Sequence, residues 1–76
     1  MTHTFNNKEG SIYEFKYVQE DGSFSILDID SSASEVNQAI VNLLLEDETK
    51  IAEFASFMDV TPSSAYEDFA KANNIL

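Results

Sequence analysis

The chain has no arginine and no cysteine, one proline, two glycines and a single histidine among its 76 residues. Each scarcity excludes something. Without cysteine there is no disulfide framework and no thiolate metal site. Small secreted domains often need such staples, so a cytoplasmic location is the expectation. Gly10 and Gly22 stand alone, leaving no glycine-rich loop to cradle a phosphate. The lone histidine, His3, lies near the start in an edge-strand context, and no serine has a base placed beside it for nucleophilic chemistry. The N-terminal stretch Met1-Thr-His-Thr-Phe-Asn-Asn lacks the basic and apolar regions of a signal peptide. The longest apolar run, Ala39 to Leu45, is broken by Asn42 and falls far short of the roughly 20 residues that span a bilayer. A helix lying on a membrane surface would be rich in lysine, and none here is.

What remains is dominated by one sign of charge. Fourteen Asp and Glu stand against four Lys, a net charge of -10. Such a chain repels nucleic acid and anionic membrane and attracts basic surfaces. Six Phe and three Tyr distinguish it from a disordered acidic tail and call for a packed core. The core has to be small, because a chain of this length buries only about 60% of the surface that it exposes when unfolded. Self-repulsion subtracts from the resulting stability, and salt restores part of it by screening. Residues 1–76 form one domain.

Hydrophobic periodicity divides the chain into a strand-forming first part and a helical second part. Tyr13, Phe15 and Tyr17 alternate with Glu14 and Lys16 over Ser11 to Val18. Asp21-Gly22 signals a turn, and Ser23 to Ile29 alternates again, with Phe24 and Ile26 on one face and Leu27 and Ile29 on the other. Thr2 to Asn6 adds a candidate third strand through the Asn7-Lys8-Glu9-Gly10 turn. Ser32 and Glu35 have capping-box spacing and would open the first helix, whose stripe is Val36, Ala39, Ile40, Leu43 and Leu44. Val41 and Leu45 fall on nearly the opposite side, so this helix is either sandwiched between layers or keeps an apolar face for a partner. The acidic link Glu46-Asp47-Glu48-Thr49 suits the positive end of a second helix, with Ile51, Phe54, Ala55 and Met58 inward. Thr61-Pro62 reads as N-cap and first residue of a third helix carrying Ala65, Tyr66, Phe69 and Ala72, closed by Asn73-Asn74. The expected architecture is α+β, ββααα or βββααα in two layers.

Asp28-Ile29-Asp30-Ser31-Ser32 begins like a calcium loop, but Ala33 stands at the glycine position and Ala39 where the bidentate Glu belongs. The adjacent pair Glu67 and Asp68 point about 100° apart on a helix and do not converge on one substrate. Tyr13, Phe15 and Tyr17 could form a base-stacking platform only in a positively charged groove, and packing against helices is the better account. No catalytic residue, cofactor or metal site is expected.

The stretch Ile51 to Asn73 resembles a helix-turn-helix, with Ala55 in the first helix and Val60-Thr61-Pro62-Ser63-Ser64 opening the second. It departs in having Asp59 in place of the turn glycine and Glu67, Asp68 and only Lys71 on the would-be recognition helix, so contact with DNA phosphates is not expected. Length and acidity are also similar to those of acyl carrier proteins. Asp30-Ser31-Ser32, however, follows strands and lacks the leucine of their Asp-Ser-Leu motif. In size and charge the chain is similar to the small acidic inhibitors of phages and mobile elements, such as anti-CRISPR and anti-restriction proteins, although the likeness covers no specific motif. It implies a non-enzymatic nucleic-acid mimic that binds and inhibits a basic, nucleic-acid-handling protein. A domain about 11 Å in radius of gyration spans a length of B-DNA with about 18 phosphates, so evenly spread carboxylates would be too dilute and mimicry requires clustering. The candidate contact residues are Glu20 and Asp21, the run Glu46, Asp47 and Glu48, and Glu53 beside the aromatic Phe57. The alternative is a regulatory or adaptor module that binds a protein, or itself as a homodimer, through Val41, Leu45 and Phe57.

Overall fold

A computed structural model describes residues 2–76, with side chains from His3 onward. Three strands, β1 (Thr2–Glu9), β2 (Ile12–Val18) and β3 (Phe24–Asp30), form an antiparallel sheet in the order β1-β2-β3. Three helices follow, α1 (Glu35–Glu46), α2 (Thr49–Val60) and α3 (Ala65–Ala72). The order is therefore βββααα, the three-stranded form of the expected α+β fold. β1 runs three residues beyond the expected strand, through Glu9, and a bulge between Asn7 and Glu9 leaves Lys8 as the extra residue. Gly10, at φ 55°, then makes the reversal, with the Asn7 Nδ2 donating to its carbonyl at 3.0 Å.

Register follows from the alternation. Phe15 pairs with Phe5 on one side and Leu27 on the other, and Tyr13 pairs with Ile29. These side chains share the face that meets α1 and α2, and Phe15 and Ile29 have no exposed surface. The core closes with Ile40, Val41 and Leu44 of α1, Ile51, Phe54 and Ala55 of α2, and Phe69 of α3. Phe54 lies 4.9 Å from Phe69 and 5.3 Å from Tyr66, centroid to centroid, in the tilted and edge-on geometries that aromatic quadrupoles favour.

Val41 is 2% exposed, so α1 is the sandwiched helix of the two options; only Leu45 remains outside on that side. The wide apolar arc exists because α1 packs on β3 and also on α2 and α3.

Two helix starts differ from expectation. The N-cap of α1 is Ser34, whose Oγ accepts from the Asn37 amide at 3.0 Å, and not Ser32 with Glu35. Ser32 is engaged elsewhere: its hydroxyl donates to Asp30 Oδ1 at 2.6 Å, since a carboxylate is a stronger acceptor than its alternatives. Thr61 ends α2, its amide donating to the Phe57 carbonyl at 3.1 Å, and does not start α3. Pro62 has no N–H to continue α2, a turn over Thr61–Ser64 intervenes, and α3 begins at Ala65. At the far end Asn74 takes φ 60°, and the Ile75 amide donates back to the Ala70 carbonyl at 2.8 Å, a Schellman closure that folds Ile75 onto the core.

Candidate interaction surface

The carboxylates concentrate at chain reversals, and three of them are structural there as well as charged. Asp21 accepts from the Ser23 amide at 2.9 Å and the Ser23 hydroxyl at 2.6 Å. Asp30 does the same with Ser32 at 2.9 and 2.6 Å and adds the Ser11 hydroxyl at 2.8 Å. Asp47 repeats the motif with Thr49 at 3.1 and 2.6 Å. In each case the hydroxyl donor is the main cause, and the backbone donor a further one, of a carboxyl held below its usual range. Asp47 carries a second duty. Its amide donates to the Leu43 carbonyl, ending α1, and its own carbonyl accepts from Lys50, beginning α2.

The expected contact residues therefore divide. Glu46, Asp47 and Glu48 form one run at the α1–α2 link, with Glu46 and Glu48 exposed and in no ion pair among the described residues. Glu53, one turn into α2, is 2.9 Å from Lys50 and spends its charge there. Glu20 and Asp21 occupy the β2–β3 turn, and no hydrogen bond, ion pair or cleft among the described residues joins them to the link. Phe57 packs edge-on against Phe69 at 5.6 Å, and the other residues around its cleft do not include Glu53.

That cleft is a feature the sequence reading missed. It has a volume of about 340 Å³ between the last turn of α2 and α3 and is lined by Ser56, Phe57, Val60, Thr61 and Asp68. Val60 is 79% exposed, although it is apolar. Asp68 is half-buried and accepts the Ser64 hydroxyl through Oδ2 at 2.9 Å. The available signal was Thr61-Pro62, which places the end of one helix beside the start of the next.

All four lysines are engaged. Lys8 lies 3.2 Å from Asp28 and 3.7 Å from Glu14, Lys50 pairs with Glu53, and Lys71 is 3.0 Å from Glu67. Lys16 sits 4.6 Å over the Phe24 ring. Of fourteen carboxylates, Glu14, Asp28, Glu53 and Glu67 meet a lysine, which leaves ten that do not.

The other constellations acquire local roles. Asp28 belongs to the Lys8 pair and Asp30 to its serines, and no group of three metal-ligating side chains lies together among the described residues. His3 stacks on Tyr17 at 5.6 Å with its Nε2 buried and unpartnered. α2 and α3 follow each other across a four-residue connection, as the helix-turn-helix resemblance implies, but the only lysine of α3 is bonded to Glu67. Among the described residues no helix is long and apolar enough to cross a membrane. No protein-family model, curated protein or solved structure matches this chain.

Proposed function

We propose that this chain is a non-enzymatic acidic inhibitor that binds a basic, nucleic-acid-handling protein and occupies its nucleic-acid groove by charge complementarity. The supporting observation is the disposition of the cations: every lysine is held by a carboxylate or an aromatic ring, so ten carboxylates make no ion pair with a lysine. The molecule measures 33 × 27 × 21 Å. Duplex of that longest dimension carries about 19 phosphates, of which about half face one side. Ten carboxylates over the whole surface match only part of that density, so the contact has to centre on the link Glu46–Glu48 and gain affinity from apolar contacts beside it. Phage or mobile-element origin, as in anti-CRISPR proteins, and a cytoplasmic site of action fit this reading.

The test is reversal of charge where the fold does not depend on it. Glu46→Lys with Glu48→Lys spares Asp47, whose carboxylate holds the turn. The basic partner is isolated by capture from host lysate at low and high salt, and association rates are then measured at both. On this reading nucleic acid displaces the chain, association slows steeply with salt, and the double reversal slows it further. Binding indifferent to salt, to nucleic acid and to the reversal would refute it.

A second reading, a regulatory or adaptor module, is favoured by a different observation. The outer sheet face exposes Phe24 (56%) and Ile26 (49%), whereas Val41 is buried and unavailable. A salt-insensitive homodimer in light scattering, broken by Phe24→Ser, would support it.

A further inference from the structure

We propose that the cleft at the α2–α3 junction is the seat of one arginine side chain of the basic partner. This rests on the reading of the chain as an acidic ligand for a basic protein, and it adds a second contact at the end of α2 remote from the Glu46–Glu48 link. Four features converge on a cation with an apolar stem. Phe57 and Val60 offer an apolar wall beside the carboxylate of Asp68. A guanidinium, weakly hydrated and planar, lies on such a wall at smaller cost than an ammonium does. Asp68 stands in the lining with one oxygen on Ser64 and the other, Oδ1, in no hydrogen bond, and no lysine neutralises it by direct contact. A fork of N–H donors matches that carboxylate.

The end of α2 adds a third contribution. Its last carbonyls lie at the negative pole of the helix, and its last turn contains no basic residue to offset them. Asp59, exposed in that same turn and outside any ion pair, adds a full charge. Fourth, the volume, about 340 Å³, is at the small end of sites that enclose ligands, suited to one side chain and not to an extended segment. The arrangement also explains the exposure of Val60, which a purely solvating surface would not require.

The experiment is an amide-resolved NMR titration of the full chain with three capped tripeptides, Gly-Arg-Gly, Gly-Lys-Gly and Gly-citrulline-Gly. Citrulline keeps the shape and removes the charge. The arginine peptide is expected to shift Ser56 to Thr61 and Asp68 saturably, and to bind about threefold or more tighter than either of the others. Asp68→Asn retains the Ser64 hydrogen bond and Val60→Ser alters only an exposed position, so both keep the fold; each is expected to weaken the arginine peptide by about threefold. Equal binding of the citrulline peptide, shifts spread equally over Glu20–Asp21 and Glu46–Glu48, or indifference to both substitutions would overturn the assignment. The inhibitor reading fails separately. If Glu46→Lys with Glu48→Lys abolishes partner capture while Asp68→Asn leaves it unchanged, the cleft assignment is wrong and the inhibitor reading stands. If the arginine peptide seats as described and no basic partner is captured, the reverse holds.

Discussion

Phe15 and Phe24 sit on adjacent strands of one sheet and on opposite faces of it, and their surroundings differ completely. Phe15 is sealed beneath the helices, while Phe24 is 56% exposed with only the Lys16 ammonium over its ring. The outer face around Phe24 also holds Lys8 and Lys16, two of the four lysines, against Glu14 and Asp28, with Glu9 and Asp30 at its far end. The surplus of negative charge lies instead at the sheet turns, the α1–α2 link and the helix ends. Two kinds of surface thus coexist on one small domain: a partly apolar sheet face, charge-balanced at its centre, and an anionic set of reversals. On the sheet face Lys8 reaches the carboxylates of the neighbouring strands, whereas the β2–β3 turn and the α1–α2 link contain no lysine.

The comparison can be broken most sharply at the two phenylalanines. Phe15→Ala should cost about 3–5 kcal/mol in urea unfolding, while Phe24→Ala should cost less than about 1 kcal/mol. For a chain this size the first is a large share of a total near 4–11 kcal/mol, and the variant's unfolding midpoint should drop steeply. Equal costs would mean that the outer face is covered in solution. Salt sharpens the same contrast. Adding 1 M NaCl at pH 7 should raise the melting temperature, because repulsion among the reversals is screened more than the short pairs of the sheet face are weakened.

Acid tests the reversals from the other side. The folded-state carboxyls of Asp21, Asp30 and Asp47 lie below the usual value of 3.8. A lowered folded value means that their stabilisation is fully present above 3.8 and lost as pH falls through the folded values. Unfolding midpoints measured from pH 7 to pH 2 should therefore fall away at the acid end, and the fall should be smaller in Asp30→Asn. The smallest effects belong to the positive-φ backbone. Gly22, at φ 90°, and Asn74, at φ 60°, should each lose about 1 kcal/mol on replacement by Ala, whereas Asn74→Gly should be neutral or slightly stabilising in thermal melts.

Much of the fold was legible because it is written in local periodicity. The alternation of Tyr13, Phe15 and Tyr17 required a half-buried strand, and the spacing of Ile51, Phe54 and Ala55 required an amphipathic helix; both are buried as read. Helix starts were less legible, because several hydroxyls compete for each one. Ser32 was lost to Asp30, and Ser34 took its place. The candidate surface was legible in part. The run Glu46–Glu48 is contiguous in sequence and so contiguous in space, but the loss of Glu53 to Lys50 and the turn-holding duty of Asp47 depend on rotamers that no spacing rule supplies. The Phe57–Asp68 cleft joins residues eleven apart across a proline turn, and nothing within either helix marks it.

By itself the sequence determined the sign and size of the charge, the β2–β3 hairpin, the three helices and their main apolar stripes, and left the pairing of β1 open. These depend on side-chain period and backbone propensity, which act over a few residues at a time. Only the tertiary structure decided which carboxylates keep an uncompensated charge, that Val41 is core while Phe24 is surface, and that α2 and α3 leave a cleft between them. Those outcomes turn on distances between groups that the chain alone does not hold together, such as the 3.2 Å from Lys8 to Asp28 across two strands. Electrostatic and packing energies depend on that separation, and folding is what sets it.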